Sequence, residues 1–433
     1  MAPKTLVIVL GIVGIAAPAH ALGPNGSAID TSDYTIDLHE GPILSNSRII
    51  GLAGAYAPLI EGVAGYAVNP ASVAARVPWS RSWVDWEVDG SITLPSSITG
   101  TDFDNNGDQS FANNAASFVM LGAGIQFGSW GLGFRAEGSF YDVQSRGAAT
   151  AGLDMSVALT RINLVAGYAF FDGQLMLGTG LVLDIVELEP PLIATEENQP
   201  PAADVQGASV QVGAIWAPAA LPVRMGVGAR VPVADEEAAP GGVSPNETGS
   251  YVAEGYYFPS RMEVPAEIHG ALALQWLRPL NARWENPRLR PYQTADELVD
   301  AERTRAASQR RSKLLVAGAV KVTLPAKNGV GIESFFSQNV ERSGEKTTIS
   351  PRFGVESEPI PGWFVVRGGT YLEPTRFSTS NERLHGTAGL DIHIPILWNM
   401  FGLLDEDTTF RVGGAVDGAE RYFGWSVSLG IWR

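Results

Sequence analysis

Segments in which every second residue is apolar limit the possible folds of this chain more than any other feature. In residues 130–141 (WGLGFRAEGSFY) the even positions carry mainly apolar side chains, and the odd positions carry mainly glycine, serine and charged residues. Residues 174–187, 222–234 and 422–432 repeat this alternation. Successive side chains of a β-strand point to opposite faces, so each segment predicts a strand with one apolar face.

The length of these segments and the chemistry of their second face favour a membrane location. A strand needs about 9–11 residues to cross a bilayer, and the segments reach that length. An apolar face opposite a face of small and charged residues is typical of a transmembrane β-barrel, with lipid outside and a polar lumen inside. A soluble secreted β-protein is the alternative, because it shows the same alternation when it buries the apolar face.

The positions of the tryptophans also suggest a bilayer. Trp79, Trp130, Trp216 and Trp363 stand beside predicted short turns, and Trp432 ends the last predicted strand. Aromatic rings at strand ends form the interfacial girdles of membrane barrels. Capping of a soluble core is the alternative role for these rings.

The alternation predicts fifteen strands. They are 79–94, 115–128, 130–143, 153–169, 174–187, 205–217, 222–234, 261–277, 312–324, 329–341, 347–358, 362–373, 384–395, 408–416 and 422–432. Single-chain bacterial barrels have an even number of strands. We therefore expect either that 408–416 is not a strand, which leaves fourteen, or that a further strand lies between Pro279 and Gln309.

One predicted strand, 153–169, changes the parity of its apolar residues. They stand at odd positions up to Leu159 and at even positions from Ile162 onwards. An extra residue in a strand reverses the faces of everything beyond it. The change therefore predicts a bulge or kink near Thr160 and Arg161.

The composition excludes one class of partner and fits an exported protein. The chain has 433 residues, no cysteine and a net charge of −16. Nucleic acids are bound through clusters of lysine and arginine, and the only such cluster is Arg303–Lys313, so we expect no nucleic-acid partner. Residues 1–21 predict a signal peptide, with Lys4, an apolar stretch and the cleavage site Ala19-His20-Ala21.

Residues 48–74 (RIIGLAGAYAPLIEGVAGYAVNPASVA) are too rich in small residues for an ordinary helix and too apolar for a linker. This stretch resembles the N-terminal hatch of the FadL-type outer-membrane transporters, and Val264–Gly270 is similar to the start of one barrel strand in that family. The spacer departs from the family pattern, because Glu61 is its only acid. The hatch residues that the resemblance identifies are Gly51, Gly54, Ala55, Tyr56, Asn69 and Pro70.

The resemblance implies a monomeric barrel of about fourteen strands in the bacterial outer membrane, plugged by a hatch inside its lumen. Barrels of the FadL-type family pass long-chain fatty acids or other hydrophobic compounds, and in that family a kinked strand opens a lateral route to the lipid, so the resemblance implies the same function here. The expected partners are a hydrophobic ligand, membrane lipids and lipopolysaccharide. The expected divisions of the chain are a signal peptide (1–21), an N-terminal arm (22–47), the hatch (48–76), the barrel (77–433) and a charged helical loop insertion (294–311) that begins at Thr294.

If the apolar faces contact lipid, charged side chains line the lumen. The candidates for contact with a ligand are Arg135, Glu137, Arg161, Asp184, Arg224, Arg230, His269, Arg352 and His393. The same faces carry Glu267, Lys321, Glu333, Asp391 and Arg411. An unpaired arginine suits a carboxylate head group, although internal pairing of every charge is the simpler expectation.

Other functions have weaker support. Asp102, Asp104 and Asn106 match the start of a calcium-binding loop, but its twelfth position is Asn113 where a glutamate is needed. The histidines beyond the signal peptide are few and no GxSxG motif occurs, so we expect no enzyme and no cofactor. The main alternative to passive uptake is a structural barrel that docks other envelope proteins without transport.

Overall fold

The structure is a computed structural model that describes most of the chain. The described residues are 22–59, 62–76, 83–95, 101–107, 116–144, 154–189, 203–235, 245–246, 249–253, 256–277, 280–281, 294, 296–297, 313–378, 380–395 and 408–432. The predicted signal peptide, Glu61 and Trp79 lie outside them, as does most of the run 294–311.

Fourteen antiparallel strands close into one barrel, as the sequence predicts. The first barrel strand, β2, pairs with the last, β20, so no strand edge is left open. The barrel strands are β2 (Val84–Leu94), β3 (Ala116–Phe127), β4 (Trp130–Gln144), β5 (Asp154–Phe170), β6 (Leu175–Glu189), β7 (Ala203–Trp216), β8 (Val223–Arg230), β13 (Glu267–Trp276), β14 (Leu314–Thr323), β16 (Thr348–Ile360), β17 (Phe364–Glu373), β18 (Arg383–Pro395), β19 (Thr409–Ala419) and β20 (Tyr422–Trp432).

Short elements precede the barrel strands and connect them. The other strands are β1 (Thr35–Asp37), β9 (Val233–Asp235), β10 (Val252–Ala253), β11 (Tyr256–Tyr257), β12 (Arg261–Val264) and β15 (Gly329–Val330). Strand β1 pairs in parallel with β12 and β15. The described helices are the α-helices Ser47–Gly51 and Ile332–Ser337 and the 3₁₀ helices Val63–Gly65 and Pro70–Ala74. None of these is long and apolar enough to cross a membrane.

The outer surface of the barrel is apolar. Leucine, valine, isoleucine and phenylalanine side chains stand exposed on every second position of the strands; Leu121, for example, is 57% exposed and Leu429 61%. So large an exposed apolar surface is stable in contact with lipid and not in water. The barrel therefore spans a membrane, in the manner of outer-membrane proteins, and the predicted lipid face is confirmed.

Exposed aromatic rings mark one end of the barrel. Trp130, Trp216 and Trp363 are about half exposed beside short turns. Trp130 packs edge-on against Tyr168, with ring centroids 4.8 Å apart. These rings form the girdle that the sequence predicts for one membrane interface.

The two ends of the barrel differ. At the first, the turn end, strands join through residues 128–129, 171–174, 217–222 and 361–363. At the second, the cap end, most of the connections are longer and carry the short strands and the helix Ile332–Ser337. Short turns face the periplasm in outer-membrane barrels, so the cap end is extracellular.

The predicted helical run 294–311 lies between β13 and β14 in the sequence. Its described residues include Thr294 and Glu297. The N–H of Glu297 donates to Thr294 Oγ1 (3.4 Å), and the N–H of Thr294 donates to Glu297 Oε2 (3.1 Å). This reciprocal pair has the hydrogen bonds of a capping box. The rest of the predicted helical insertion lies outside the described residues.

The strand count was correct at fourteen, but the predicted choice between strands was wrong. Residues 409–419 form β19, so the segment 408–416 is a true strand. The segment 329–341 is not a strand: after two residues of β15 it forms the helix Ile332–Ser337. This helix buries Phe335 and Phe336 together, and Glu333 lies on it and not on a lumen-facing strand.

The predicted bulge in β5 is also absent. The pairing of β5 with β4 and with β6 runs through Thr160 and Arg161 without a register shift. The apolar residues change parity because the side chains at odd positions up to Leu159 point inwards, where they pack in one cluster with residues of the connections at the cap end. The side chains at even positions in this part of β5 point outwards near the cap end, and they are small.

Candidate functional site

The described residues between 47 and 75, namely 47–59 and 62–75, lie inside the barrel, and we call them the inner segment. Thr387 on β18 donates a hydrogen bond to the carbonyl oxygen of Gly51 (3.3 Å). Asn69 Nδ2 donates to the carbonyl oxygen of Ala214 on β7 (3.0 Å). Strands β7 and β18 stand on opposite sides of the barrel, so the inner segment crosses the lumen.

Two asparagines fix the local shape of the inner segment. Asn46 Oδ1 accepts the N–H of Ile49 (3.1 Å) and caps the first helix. Asn69 Oδ1 accepts the N–H of Ala71 (3.1 Å) ahead of the 3₁₀ helix that Pro70 begins. These are side-chain caps for backbone N–H groups that have no partner within the helix.

Inward-facing glycines allow the inner segment to approach the wall. A β-carbon at Gly178 would overlap the backbone of Pro70 and Ala71. On the inner segment itself, Gly54 has a positive φ of 69° and lies against the guanidinium of Arg352. Both positions therefore need glycine, the first for the close approach and the second for its backbone conformation as well.

The remaining residues that the resemblance identified as a hatch are also buried in the inner segment. Gly51 contacts the backbone of Gly389, and Ala55 is completely enclosed. The hydroxyl of Tyr56 accepts a hydrogen bond from Arg48 Nη1 (3.3 Å). Four of the six residues, Gly51, Gly54, Asn69 and Pro70, therefore lie against the barrel wall, and Ala55 and Tyr56 are buried within the inner segment.

Four of the predicted lumen charges form one paired network. Arg161 binds Asp184 through Nε (2.8 Å) and Glu137 through Nη1 (3.3 Å). Arg135 pairs with Glu137 and donates to the carbonyl oxygen of Ala64 on the inner segment (2.5 Å). Two cations balance two carboxylates, so this network holds the wall and the inner segment together and offers no charge to a ligand.

A second paired network surrounds Glu356. Its carboxylate is fully buried and contacts Arg48 Nε (3.1 Å), Lys313 Nζ (2.7 Å) and Arg367 Nε (2.6 Å). Arg367 also binds Asp391 (2.7 Å). Because Arg48 belongs to the inner segment, this network is another tie between that segment and the barrel.

Two predicted candidates stand apart from these networks. Arg224, near the turn end, donates to Asn281 Oδ1 (2.8 Å) and to the Leu280 carbonyl oxygen (3.0 Å). His393 packs its ring edge-on against Trp432, at 5.4 Å between centroids. Their contacts hold the wall near the turn end.

The other three predicted candidates are Arg230, His269 and Arg352, and they lie close together near the cap end. Arg230 (3.4 Å), Lys321 (2.6 Å) and His269 (3.4 Å) all contact the carboxylate of Glu267. Arg352 lies one strand further, where its Nε donates to Ser350 Oγ (3.3 Å) and its guanidinium covers the Tyr371 ring (5.7 Å).

We call Arg230, Glu267, His269, Lys321 and Arg352 the cation cluster. It holds three arginine or lysine side chains and one carboxylate. Among the described residues Arg352 makes no ion pair. His39 lies beside this cluster, and burial together with Lys321 and Arg376 lowers the pKa of His39 well below its usual range, so its imidazole is neutral.

The upper lumen next to the cation cluster is lined with apolar side chains, a feature that the sequence analysis did not predict. Its wall residues, which we call the apolar chamber, are Val143, Met155, Val157, Leu159, Val182, Val186, Leu188 and Val205. Some of them alternate with outward residues that are small, polar or charged, such as Ser156 and Glu187, whereas Val182 stands between the exposed Leu181 and Leu183. The parity change in β5 was the available sequence signal.

The candidate calcium loop has a structural role at the cap end. Asp102 Oδ2 accepts the N–H of Gly107 (3.1 Å), and Asp104 Oδ1 accepts the N–H of Asn106 (3.4 Å). Asn106 Nδ2 donates to Glu333 Oε2 (2.8 Å) on the helix Ile332–Ser337. Within the described ranges no group of three or more histidine, cysteine, aspartate or glutamate side chains is placed to hold a metal ion.

Comparisons with known proteins bear on the fold. No family profile and no curated protein matches the sequence. A Pseudomonas aeruginosa FadL homologue of known structure superimposes with a TM-score of 0.53 at 11% identity, over 91% of this chain and 99% of that one. The CymD monoaromatic hydrocarbon channel gives a TM-score of 0.50 at 11% identity, over 90% of this chain and 96% of that one. The chain therefore has the fold of the FadL-type outer-membrane transporters, as the resemblance in residues 48–74 implied.

Proposed function

We propose that the chain is an outer-membrane channel for the passive uptake of hydrophobic small molecules with a carboxylate head, such as long-chain fatty acids. The observation that carries this proposal is the cation cluster beside the apolar chamber. The likeness to a FadL homologue and to a hydrocarbon channel supports transport of hydrophobic compounds in general. We expect a monomer in contact with membrane lipids and lipopolysaccharide.

The charge balance of the cluster favours an anionic head group. The whole chain carries a net charge of −16, so the surplus of cations in this cluster is not a consequence of composition. Arg352 has a planar guanidinium without a carboxylate partner in the described part of the chain. Such a group binds carboxylates through charge-assisted hydrogen bonds, which are about twice as strong as neutral ones.

The same residue links ligand binding to the inner segment, which we propose acts as the plug. Arg352 lies against Gly54, at a position where the backbone has a positive φ. A carboxylate that draws the Arg352 guanidinium towards Arg230 and Lys321 removes its contact with Gly54. The inner segment then loses one of its supports on the wall, which favours its displacement.

The test compares a fatty acid with its neutral analogue. We expect the purified protein to bind palmitate at least tenfold more tightly than hexadecanol, which corresponds to about 1.4 kcal/mol. Arg352→Met should remove this preference, whereas Arg352→Lys, which keeps the charge, should retain most of it. Equal affinity of the wild-type protein for the acid and the alcohol would exclude a carboxylate site, and absence of uptake of either into liposomes would exclude transport.

A further inference from the structure

Near the cap end of β18, the imidazole of His385 lies between two carboxylates. Its Nδ1 is 2.8 Å from Asp417 Oδ1 on β19, and its Nε2 is 2.6 Å from Glu373 Oε2 on β17. All three residues, which we call the histidine site, are almost completely buried. An ionised carboxylate only accepts hydrogen bonds, so both ring nitrogens have to carry a hydrogen. The contacts therefore describe a positively charged imidazolium.

The charges of the histidine site balance only when the ring is protonated. Arg383 binds the carboxylate of Glu373 through Nε (2.7 Å) and Nη2 (3.0 Å), so it and the imidazolium offset two carboxylates. The other titratable groups that face the site are Tyr371 on β17, Tyr422 on β20 and Asp102 in the connection after β2. Loss of the ring proton leaves one buried carboxylate without a counter-charge, which is costly away from water.

One aromatic ring connects the histidine site to Arg352 of the cation cluster. Arg352, Tyr371 and His385 are successive register partners on β16, β17 and β18. The rings of Tyr371 and His385 are stacked, with centroids 4.2 Å apart, and the Arg352 guanidinium covers the Tyr371 ring. The Tyr371 hydroxyl donates to Asp417 Oδ2 (2.7 Å), and the carboxylates of Glu373 and Asp417 both attract Arg352. The guanidinium and the imidazolium therefore share the same two carboxylates.

We infer that the histidine site binds a proton and thereby regulates the binding of an anionic ligand at Arg352. With the proton in place, the imidazolium satisfies both carboxylates, and the Arg352 guanidinium is available to the head group of the ligand. When the ring releases its proton to solvent, one carboxylate of the site attracts the guanidinium and competes with the ligand for it. A rise in pH therefore weakens binding. This inference rests on the proposed function and adds regulation to it.

The binding test uses a ligand whose own charge does not change with pH. Hexadecanesulfonate stays ionised from about pH 6 to about pH 9, the range in which imidazoles gain and lose a proton. We expect the purified wild-type protein in non-ionic detergent to bind it several-fold more weakly at the upper end of this range than at the lower end. Hexadecanol, which carries no charge, should bind equally well throughout.

Two variants of the histidine site should change binding in opposite directions. His385→Asn leaves both carboxylates without the imidazolium, so it should bind the sulfonate weakly over the whole pH range. Asp417→Asn removes one carboxylate, so it should bind the sulfonate tightly over the whole range. His39, His269 and Lys321 are unchanged in both variants and cannot produce this difference. Weak binding by both proteins, when both are folded, would indicate a merely structural role and contradict the inference.

His393→Asn is the matched control, because His393 lies on the same strand near the turn end and packs against Trp432. This variant should keep the pH dependence of the wild-type protein. All three variants should migrate on gels as folded, heat-modifiable barrels. Loss of the pH dependence in His393→Asn would mean that the histidine site is not its source.

Nitrogen NMR of isotopically labelled histidines tests the proton itself, without any ligand. We expect the signals that disappear in His385→Asn to show hydrogens on both ring nitrogens at neutral pH. A neutral His385 ring at that pH would show that the inference is wrong. If His385 is protonated but the wild-type protein binds hexadecanesulfonate equally well at both ends of the pH range, the regulation is wrong while the proposed function stands. If the protein binds no anionic ligand at any pH, the proposed function itself fails.

Discussion

Gly178 on β6 lies so close to Pro70 of the inner segment that a β-carbon at position 178 would overlap the backbone of residues 70 and 71. The wall and the inner segment therefore meet through backbone atoms at this point. Gly318 on β14 is the opposite case, because a β-carbon there would meet nothing within 4 Å. The pair offers a direct test of whether the inner segment seals the lumen.

We predict that Gly178→Val displaces the inner segment and raises ion conductance in planar lipid bilayers several-fold. Gly318→Val should leave the conductance unchanged, since the added side chain meets open space. Heat-modifiable migration on gels would show that both barrels are intact. Unchanged conductance in a folded Gly178→Val protein would argue against a sealing role.

Asn69→Ala should loosen the inner segment without opening the barrel. The substitution removes the cap on Ala71 and the hydrogen bonds to the carbonyl oxygens of Ala57 and Ala214. Loss of a helix cap costs about 0.5–2 kcal/mol. We expect faster hydrogen exchange in residues 69–75 and no change in the barrel strands. Asn339→Ala, which removes an exposed hydrogen bond to Ser337, is the control and should have no such effect.

Glu356→Gln should destabilise the whole protein. The carboxylate of Glu356 is buried among Arg48, Lys313 and Arg367. Removal of one partner from a buried ionic network costs about 3–5 kcal/mol, because the remaining charges lose their counter-charge. Unfolding by denaturant in detergent micelles measures this loss. Glu345→Gln, at an exposed ion pair with Arg342, should cost less than about 1 kcal/mol.

Residues 101–107 and the helix Ile332–Ser337, which we call the cap, should be more stable at acid pH than at neutral pH. Burial, with the neighbouring carboxylates of Glu333 and Asp102, raises the pKa of Asp104 well above its usual range. A raised pKa means that the folded cap binds the proton more tightly than the unfolded chain does. This stabilisation is complete below the ordinary aspartate pKa and is lost as the pH rises through the raised value. Asp104→Asn should remove most of the dependence.

Limited proteolysis of the cap across this pH range provides the measurement. Wild-type protein should become easier to cleave near Asp104 as the pH rises. The Asp104→Asn protein should resist cleavage at every pH. A steeper pH dependence in the variant than in the wild-type protein would contradict the assignment.

The barrel was predictable because lipid imposes one rule on every strand. Each wall strand presents apolar side chains to the bilayer at every second position, as Leu429 and Leu121 do, so alternation revealed the fold. The rule fails beyond the bilayer. In β5 the inward residues up to Leu159 are apolar because they pack beneath the cap, and this reversal suggested a bulge that does not exist.

The candidate site was predictable only in part. Alternation placed Arg230, His269 and Arg352 in the lumen, but strand periodicity carries no information on which inward residues of distant segments meet. The pairing of Arg161 with Asp184 and the absence of a carboxylate partner for Arg352 in the described ranges depend on register. The pairing of Ile36 with Met262 joins residues more than two hundred positions apart in the sequence, so it could not be predicted either.

The chain passes from the cap end, through the inside of the barrel, to Arg76, before β2 begins the wall. The wall closes where β2 pairs with β20, which comes after the other barrel strands in the sequence. Residues 22–75 must therefore be in place before that seam forms, or be threaded later through a finished cylinder. We therefore expect that, during biogenesis, the N-terminal residues enter the barrel before its last two strands pair. If they do not, the lumen is left without its inner segment.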